Sequence, residues 1–189
     1  QLADNAACPQ DVAIRYIDGQ RQVAGWQEIT DAPPAQMPWR AQGVYLITGG
    51  LGGLGQLLAK DMAAQAPGVT LVLTGRRELD DGGRQHVREL EALGANVQYR
   101  ALDVADPQAV RRLVLQVQEE HQALHGIVHA AGVLRDSLLL NKTAQEVEAV
   151  LAPKVAGLIN LDEASRDIEL DGLICFSSTS AALGNVGQA

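Results

Sequence analysis

Aromatic side chains are scarce: one Phe, two Trp and three Tyr, 3% of 189 residues. Too few rings are available to build a stacking platform for single-stranded nucleic acid. Positive charge is short as well, with 15 Lys and Arg against 23 Asp and Glu and a formal net charge of −8. That balance disfavours a grip on nucleic-acid phosphates or a polybasic membrane patch. Two cysteines, Cys8 and Cys175, cannot make a disulfide scaffold. Cys175 stands in an apolar run and is expected to be a buried thiol. No apolar run approaches the roughly 20 residues that span a bilayer. The opening QLADNAACPQD has neither the basic region nor the apolar region of a secretory signal, so the expected location is cytoplasmic. An initiator Met is also lacking, and excision from a longer polypeptide, or a tag or processing site, is expected.

Against these shortages, 47% of residues are hydrophobic. The length suits one domain with a short appended piece and a core that needs no metal or disulfide. Glycine is plentiful, at 19 residues, and much of it is clustered. Residues 1–42 stand apart: they hold Trp26, Trp39 and four of the seven prolines. Val12 to Tyr16 and Arg21 to Val23 read as two short strands around Asp18-Gly19, and Thr30 to Pro38 as a linker. This part reads as the tail of a preceding subdomain, or as an edge hairpin on the main domain.

From Gly43 to Ala189, strands alternate with helices. Val44–Ile47, Val69–Leu73, Asn96–Leu102, Gly126–His129 and Leu170–Phe176 read as strands. Helices are expected over Gly53–Ala64 and Asp81–Leu93, after the Asp106-Pro107 cap, and after the Thr143…Glu146 capping box. The alternation predicts an α/β fold, a doubly wound parallel sheet covered on both faces.

The first strand runs into Thr48-Gly49-Gly50-Leu51-Gly52-Gly53-Leu54-Gly55, with G-x-G-x-x-G at Gly50, Gly52 and Gly55. After a strand and opening a helix, such glycines allow a tight turn, close backbone approach to a pyrophosphate, and helix–strand packing. The helix N-terminus then faces the anion. A tight turn that binds nothing is the alternative. The second strand ends at Thr74-Gly75-Arg76-Arg77, without the acid that binds a ribose 2′-hydroxyl in NAD sites. Arginines there suit a 2′-phosphate, so NADP(H) is favoured over two solvated side chains, although Glu78 and Asp80 follow closely.

TGGLGGLG, LTGRR, Asp103-Val104 and His129-Ala130-Ala131-Gly132 resemble a short-chain dehydrogenase/reductase. More narrowly, HAAGVLRDSLL, LAPKVAG and ICFSSTSAALGNVGQA resemble the ketoreductase domain of a modular polyketide synthase, from about Tyr16 to Ala189. The resemblance implies NADPH-dependent reduction of a β-ketoacyl thioester carried on an acyl carrier protein, among neighbouring synthase modules. It places Gly50, Gly53 and Leu54 at the pyrophosphate and Arg76 at the 2′-phosphate. Asp103 and Val104 border the adenine, and Ala131 and Gly132 the nicotinamide ribose. Ser178 would hydrogen-bond the ketone and Lys154 would be the active-site lysine. Leu134-Arg135-Asp136 is similar to the Leu-Asp-Asp motif of B-type ketoreductases; Asp136 is kept, and Leu183 occupies the position of the A-type tryptophan. The family's tyrosine and asparagine would fall at positions 191 and 195, so a chain of 189 residues is expected to be inactive alone.

The residues also speak for Lys154 directly. Val147, Val150, Leu151, Val155 and Leu158 recur at helical spacing, and Lys154 lies on their stripe, expected to face the core. Snorkelling to the helix edge is the alternative, and Pro153 predicts a kink. His121, His125 and His129 are spaced like metal ligands but straddle a helix end and a strand, so no metal is expected. A non-reducing or epimerising NADP(H)-binding scaffold and a discrete dehydrogenase remain as rival functions.

Overall fold

The computed structural model describes residues 1–11, 13–28, 30 and 39–187. The chain divides into two compact units, Gln1–Gln36 and Met37–Ala189. In the first, helix α1 (Leu2–Ala7) precedes an antiparallel hairpin of β1 (Ile14–Ile17) and β2 (Gln20–Val23). Asp18 (φ 50°) and Gly19 (φ 76°) form its two-residue turn. Positive φ at both positions matches the right-handed twist of the flanking strands. Asn5 ties helix to hairpin, its Oδ1 accepting from the Tyr16 hydroxyl and from Arg21 Nε, both at 3.0 Å. The first strand starts at Ile14; Val12, and the expected linker beyond Thr30, lie outside the described residues.

The second unit is a five-stranded parallel sheet: β3 (Val44–Thr48), β4 (Thr70–Gly75), β5 (Asn96–Ala101), β6 (Gly126–His129) and β7 (Gly172–Cys175). The spatial order is β5-β4-β3-β6-β7, the doubly wound arrangement predicted. Alternate side chains feed two cores. Tyr45, Ile47, Leu71 and Leu73 pack on one face with Ala59, Met62 and Leu90. These come from α2 (Gly53–Gln65) and α3 (Asp81–Ala92). Val44, Leu46 and Val72 pack on the other face with Val110, Leu113, Val114, Val117 and Leu161, from α4 (Pro107–His121) and α6 (Gly157–Ser165). A central strand buried on both sides reads as a near-continuous apolar run; β3 is buried throughout, apolar from Val44 to Ile47 and ending in Thr48.

The helix starts follow the predicted chemistry. Asp106 accepts from the Gln108 and Ala109 amides at 2.9 and 3.1 Å, with Pro107 in the first turn. Thr143 and Glu146 form a reciprocal capping box at the head of α5 (Ala144–Leu151).

Two expectations are corrected. The stripe on α5 and its continuation does not face the core: Val147, Leu151 and Val155 are 40%, 48% and 50% exposed, and Lys154 is exposed with them. The side of this helix that packs is instead Gly157, Asn160 and Leu161, because the helix widens between them. Residues Ala152–Ala156 form a single π turn, in which the Gly157 amide donates to the Ala152 carbonyl, and that extra residue rotates α6 relative to α5. Pro153, which has no N–H to give, sits inside it. Cys175 is exposed rather than buried; it is the last residue of β7, which among the described residues pairs with β6 alone.

Candidate functional site

Chain direction across the sheet reverses between β3 and β6. From β3 the chain continues to β4 and β5 on one side, while β6 and β7 lie on the other. Crossovers leaving in opposite directions open a crevice at the carboxyl ends of these two strands. A cleft of about 700 Å³ lies there.

Its floor is the glycine turn. Gly49 has φ 67°, and a β-carbon on it would stand 2.7 Å from the Ala130 carbonyl oxygen and 2.8 Å from the Ala131 Cα. Only glycine lets the turn pass so close to the end of β6. A β-carbon on Gly55 would press on the Gly49 carbonyl and lie 2.8 Å from the Gly50 Cα, so Gly55 lets α2 start hard against the turn. The Gly50 amide donates to the Thr74 carbonyl at 3.0 Å and the Gly52 amide to that of Gly49 at 2.8 Å. The helix then opens at Gly53 with no acid in its first turn, and its first amides have no intrahelical partner. Backbone donors, a helix dipole and a first turn without a carboxylate fit a pyrophosphate, while the carboxylates of the cleft, Glu78, Asp80 and Asp103, come from other segments.

Seven of the residues singled out from sequence line the cleft: Gly52, Arg76, Arg77, Asp103, Val104, Ala131 and Gly132. Gly50, Gly53, Leu54 and Gly55 build the turn and the helix start without lining it. Thr48 is fully buried beneath the turn; its Oγ1 meets His129 Nδ1 at 2.7 Å and accepts from the Ala131 amide at 3.4 Å.

Arg76 and Arg77 are exposed just past β4 and enter no ion pair among the described residues. Nearby, the Asp80 carboxylate is occupied as the cap of α3, accepting from the Gly83 amide at 2.8 Å. Tyr99 was not legible from sequence as a site residue. It pairs with Leu73 across β4 and β5 and reaches past Gly75, where a β-carbon would stand 2.7 Å from its hydroxyl oxygen. That hydroxyl donates to the Arg77 carbonyl, which fixes the arginine turn. Burial first, then the Glu78 carboxylate, pushes the phenol above its ordinary pKa. Leu51, Gln56, Leu102, Val133 and Pro153 also line the cleft, though none of them was expected from sequence to be a site residue.

On the far side, Asp103 Oδ1 accepts from the Ala105 amide at 3.0 Å, and the Val104 carbonyl accepts from Asn160 Nδ2 at 3.0 Å. Lys154 leaves the π turn toward Gly132, its Cε 3.6 Å from where a Gly132 β-carbon would sit. Ser178 is exposed beyond the end of β7. Its Oγ accepts from the Ser180 amide at 3.1 Å, at the head of the short α7 (Ser180–Leu183). Asp136 is exposed in the loop after β6, and the Leu183 side chain lies outside the described residues. His125 Nδ1 accepts from the Val44 amide at 2.9 Å, at the amino end of β6. His129 closes the other end, about 13 Å away at strand rise, so the two imidazoles cannot share an ion.

Residues 43–189 match the family model described as "KR domain". Polyketide synthase PksL of Bacillus subtilis (strain 168) is 45% identical over all 189 residues, which span 4% of its length. PksN of the same organism is 44% identical over 95% of the chain and 3% of its own length. Among solved structures, a ketoreductase domain from the bacillaene assembly line superposes with a TM-score of 0.91 at 46% identity, over 99% of this chain and 44% of that one. An N-terminal ketoreductase from the macrolactin assembly line gives 0.78 at 38% identity, over 89% of this chain and 33% of that one. The chain thus spans a small part of the curated relatives it matches and less than half of these two ketoreductase chains. With that match and these relatives, the chain belongs to the KR domain family, the ketoreductases of polyketide synthase assembly lines.

Proposed function

We propose that this domain uses NADPH to reduce the β-keto group of a β-ketoacyl thioester held on an acyl carrier protein, with B-type stereochemistry. The observation that carries the reading is one cleft that joins a carboxylate-free helix N-terminus to two unpaired arginines. The backbone amides at the start of α2 would hold the pyrophosphate, and Arg76 with Arg77 the 2′-phosphate. The nicotinamide, when bound, supplies the hydride. Lys154, beside Gly132, would stand at the ribose end of the cleft, where its ammonium would hold the ribose hydroxyls and favour proton transfer to the developing alkoxide from the tyrosine that the resemblance places at position 191. Ser178 would donate its hydroxyl hydrogen to the ketone oxygen. Asp136, in the loop after β6, would orient the substrate for the B-type product, and the carrier protein and adjoining modules are the partners. The domain would turn over by chemistry that needs no metal ligand.

The test is cofactor choice. Replacing Arg76 and Arg77 together by Ala removes two charge-assisted contacts, each worth about 1.5–3 kcal/mol. NADPH affinity should fall at least about tenfold while NADH affinity changes less than threefold. Equal losses for both cofactors would defeat the 2′-phosphate assignment. Chiral analysis of the alcohol formed from a β-ketoacyl thioester checks the stereochemistry, and the A-type enantiomer would overturn it.

A further inference from the structure

His129 is the last residue of β6 and is 6% exposed, and the chemistry above does not use it. Both ring nitrogens are engaged. Nδ1 meets Thr48 Oγ1 at 2.7 Å, and Nε2 meets the Pro153 carbonyl oxygen at 2.9 Å. A carbonyl oxygen only accepts, so Nε2 carries the hydrogen. Burial holds the imidazole below its ordinary pKa, so the ring is neutral and Nδ1 is an acceptor. The Thr48 hydroxyl must therefore donate to Nδ1, which leaves its oxygen to accept from the Ala131 amide at 3.4 Å. Every hydrogen in this chain has one direction: Ala131 amide to Thr48, Thr48 to His129, His129 to Pro153.

The two ends of that chain belong to different halves of the site. Thr48 and Ala131 flank the glycine turn. Pro153 lies inside the π turn and immediately precedes Lys154. The contact is close by construction, since a β-carbon on Gly157 would come within 3.3 Å of His129 Cε1 and 2.8 Å of Val104 Cγ1. A widened helical turn at a proline is intrinsically less fixed than a regular one, and the imidazole gives this one an anchor outside its own helix.

We propose that His129 is a positioning residue: its Nε2–H holds the Pro153 carbonyl and thereby sets where Lys154 stands relative to the glycine turn. The inference rests on the reading of Lys154 given under Proposed function, and its test is arranged so that the two fail separately. Asn at position 129 can still accept from Thr48 but cannot reach Pro153. Gln can place an amide N–H near the lost Nε2–H.

The first measurement needs no activity. In the intact protein, 15N spectra of the histidines should show His129 with a protonated Nε2 and a bare Nδ1; the opposite tautomer overturns the proposal. In 13C-lysine spectra the Lys154 Cε signal should move in His129→Asn and return toward its original position in His129→Gln. A Lys154 signal unmoved by the Asn variant, or moved and not restored by Gln, overturns it too. For reduction of a β-ketoacyl thioester by a longer synthase domain that carries the tyrosine expected at position 191, kcat should fall about tenfold in the Asn variant, as a displaced Lys154 predicts. It should recover to within about threefold in the Gln variant, whatever stability each has lost. Equal kcat in the two variants refutes the positioning role. If a longer synthase domain that carries the tyrosine expected at position 191 reduces no β-ketoacyl thioester, the proposed function falls, and the two spectroscopic measurements still decide the role of His129.

Discussion

Replacing Gly55 by Ala adds one methyl group where the structure has no room for it. The new β-carbon would stand 2.8 Å from the Gly50 Cα and closer still to the Gly49 carbonyl oxygen. Ordinary van der Waals contact begins near 3.4 Å, so turn and helix must part by at least about 0.6 Å. Both obstructing groups are backbone and cannot rotate aside. Overpacking of this kind costs about 1–3 kcal/mol, offset by up to about 1 kcal/mol from the better helix propensity of Ala. A cost in the middle of that range leaves a net loss of about 1 kcal/mol, which lowers Tm by roughly 2–4 °C in a chain of this size. Gly53→Ala supplies the contrast. It sits on the same helix, yet its β-carbon meets nothing within 4 Å, so Tm should hold or rise. Dinucleotide affinity should drop in both variants, because the open space at Gly53 is where a pyrophosphate would approach. Thermal unfolding by circular dichroism, followed by NADPH titration of each folded variant, separates the two effects. The reasoning is refuted if Gly55→Ala melts at or above the parent temperature, or if Gly53→Ala melts as low as Gly55→Ala.

Acidification should act through two buried imidazoles. Burial holds both His86 and His129 below their ordinary pKa, with Lys60 adding to the effect at His86. The folded chain therefore binds fewer protons than the unfolded chain, in which these groups titrate near 6.5. Their contribution to stability is complete above about pH 6.5 and is lost as pH falls below it, by at most about 2.7 kcal/mol per pH unit for two protons. Urea midpoints at pH 7.5, 6.0 and 5.3 should decline in that order; a flat or rising series contradicts the assignment. Tyr99→Phe removes the hydrogen bond that fixes the arginine turn, worth about 0.5–1.5 kcal/mol. The preference for NADPH over NADH should weaken about two- to tenfold, as read from the ratio of the two dissociation constants, and an unchanged ratio would show that the turn needs no such anchor.

Much of the fold was written locally. The apolar runs at β3 and β4, the Asp106-Pro107 start of α4 and the Thr143–Glu146 box each rest on interactions within a few residues, and each stands where the sequence put it. The glycine turn was legible for the same reason: strand, turn and helix are contiguous. The stripe of Val147, Leu151 and Val155 was misread because helical spacing says which residues share a face, not what that face meets. A π turn at Pro153 also rotates the part of the helix that does pack. Cys175 was misread similarly, because an apolar run does not declare what packs over each of its side chains.

Sequence alone thus determined the order of elements, the parallel sheet and the position of the glycine turn, all of which follow from periodicity, capping and the steric freedom of glycine. Only the tertiary structure decided what meets across the cleft. Tyr99 reaches the arginine turn from the neighbouring strand, 22 residues on. His129 bonds Thr48, 81 residues before it, and Pro153, 24 residues after it. Such contacts depend on strand register and on how closely a helix can approach the sheet, and no short-range pattern encodes either.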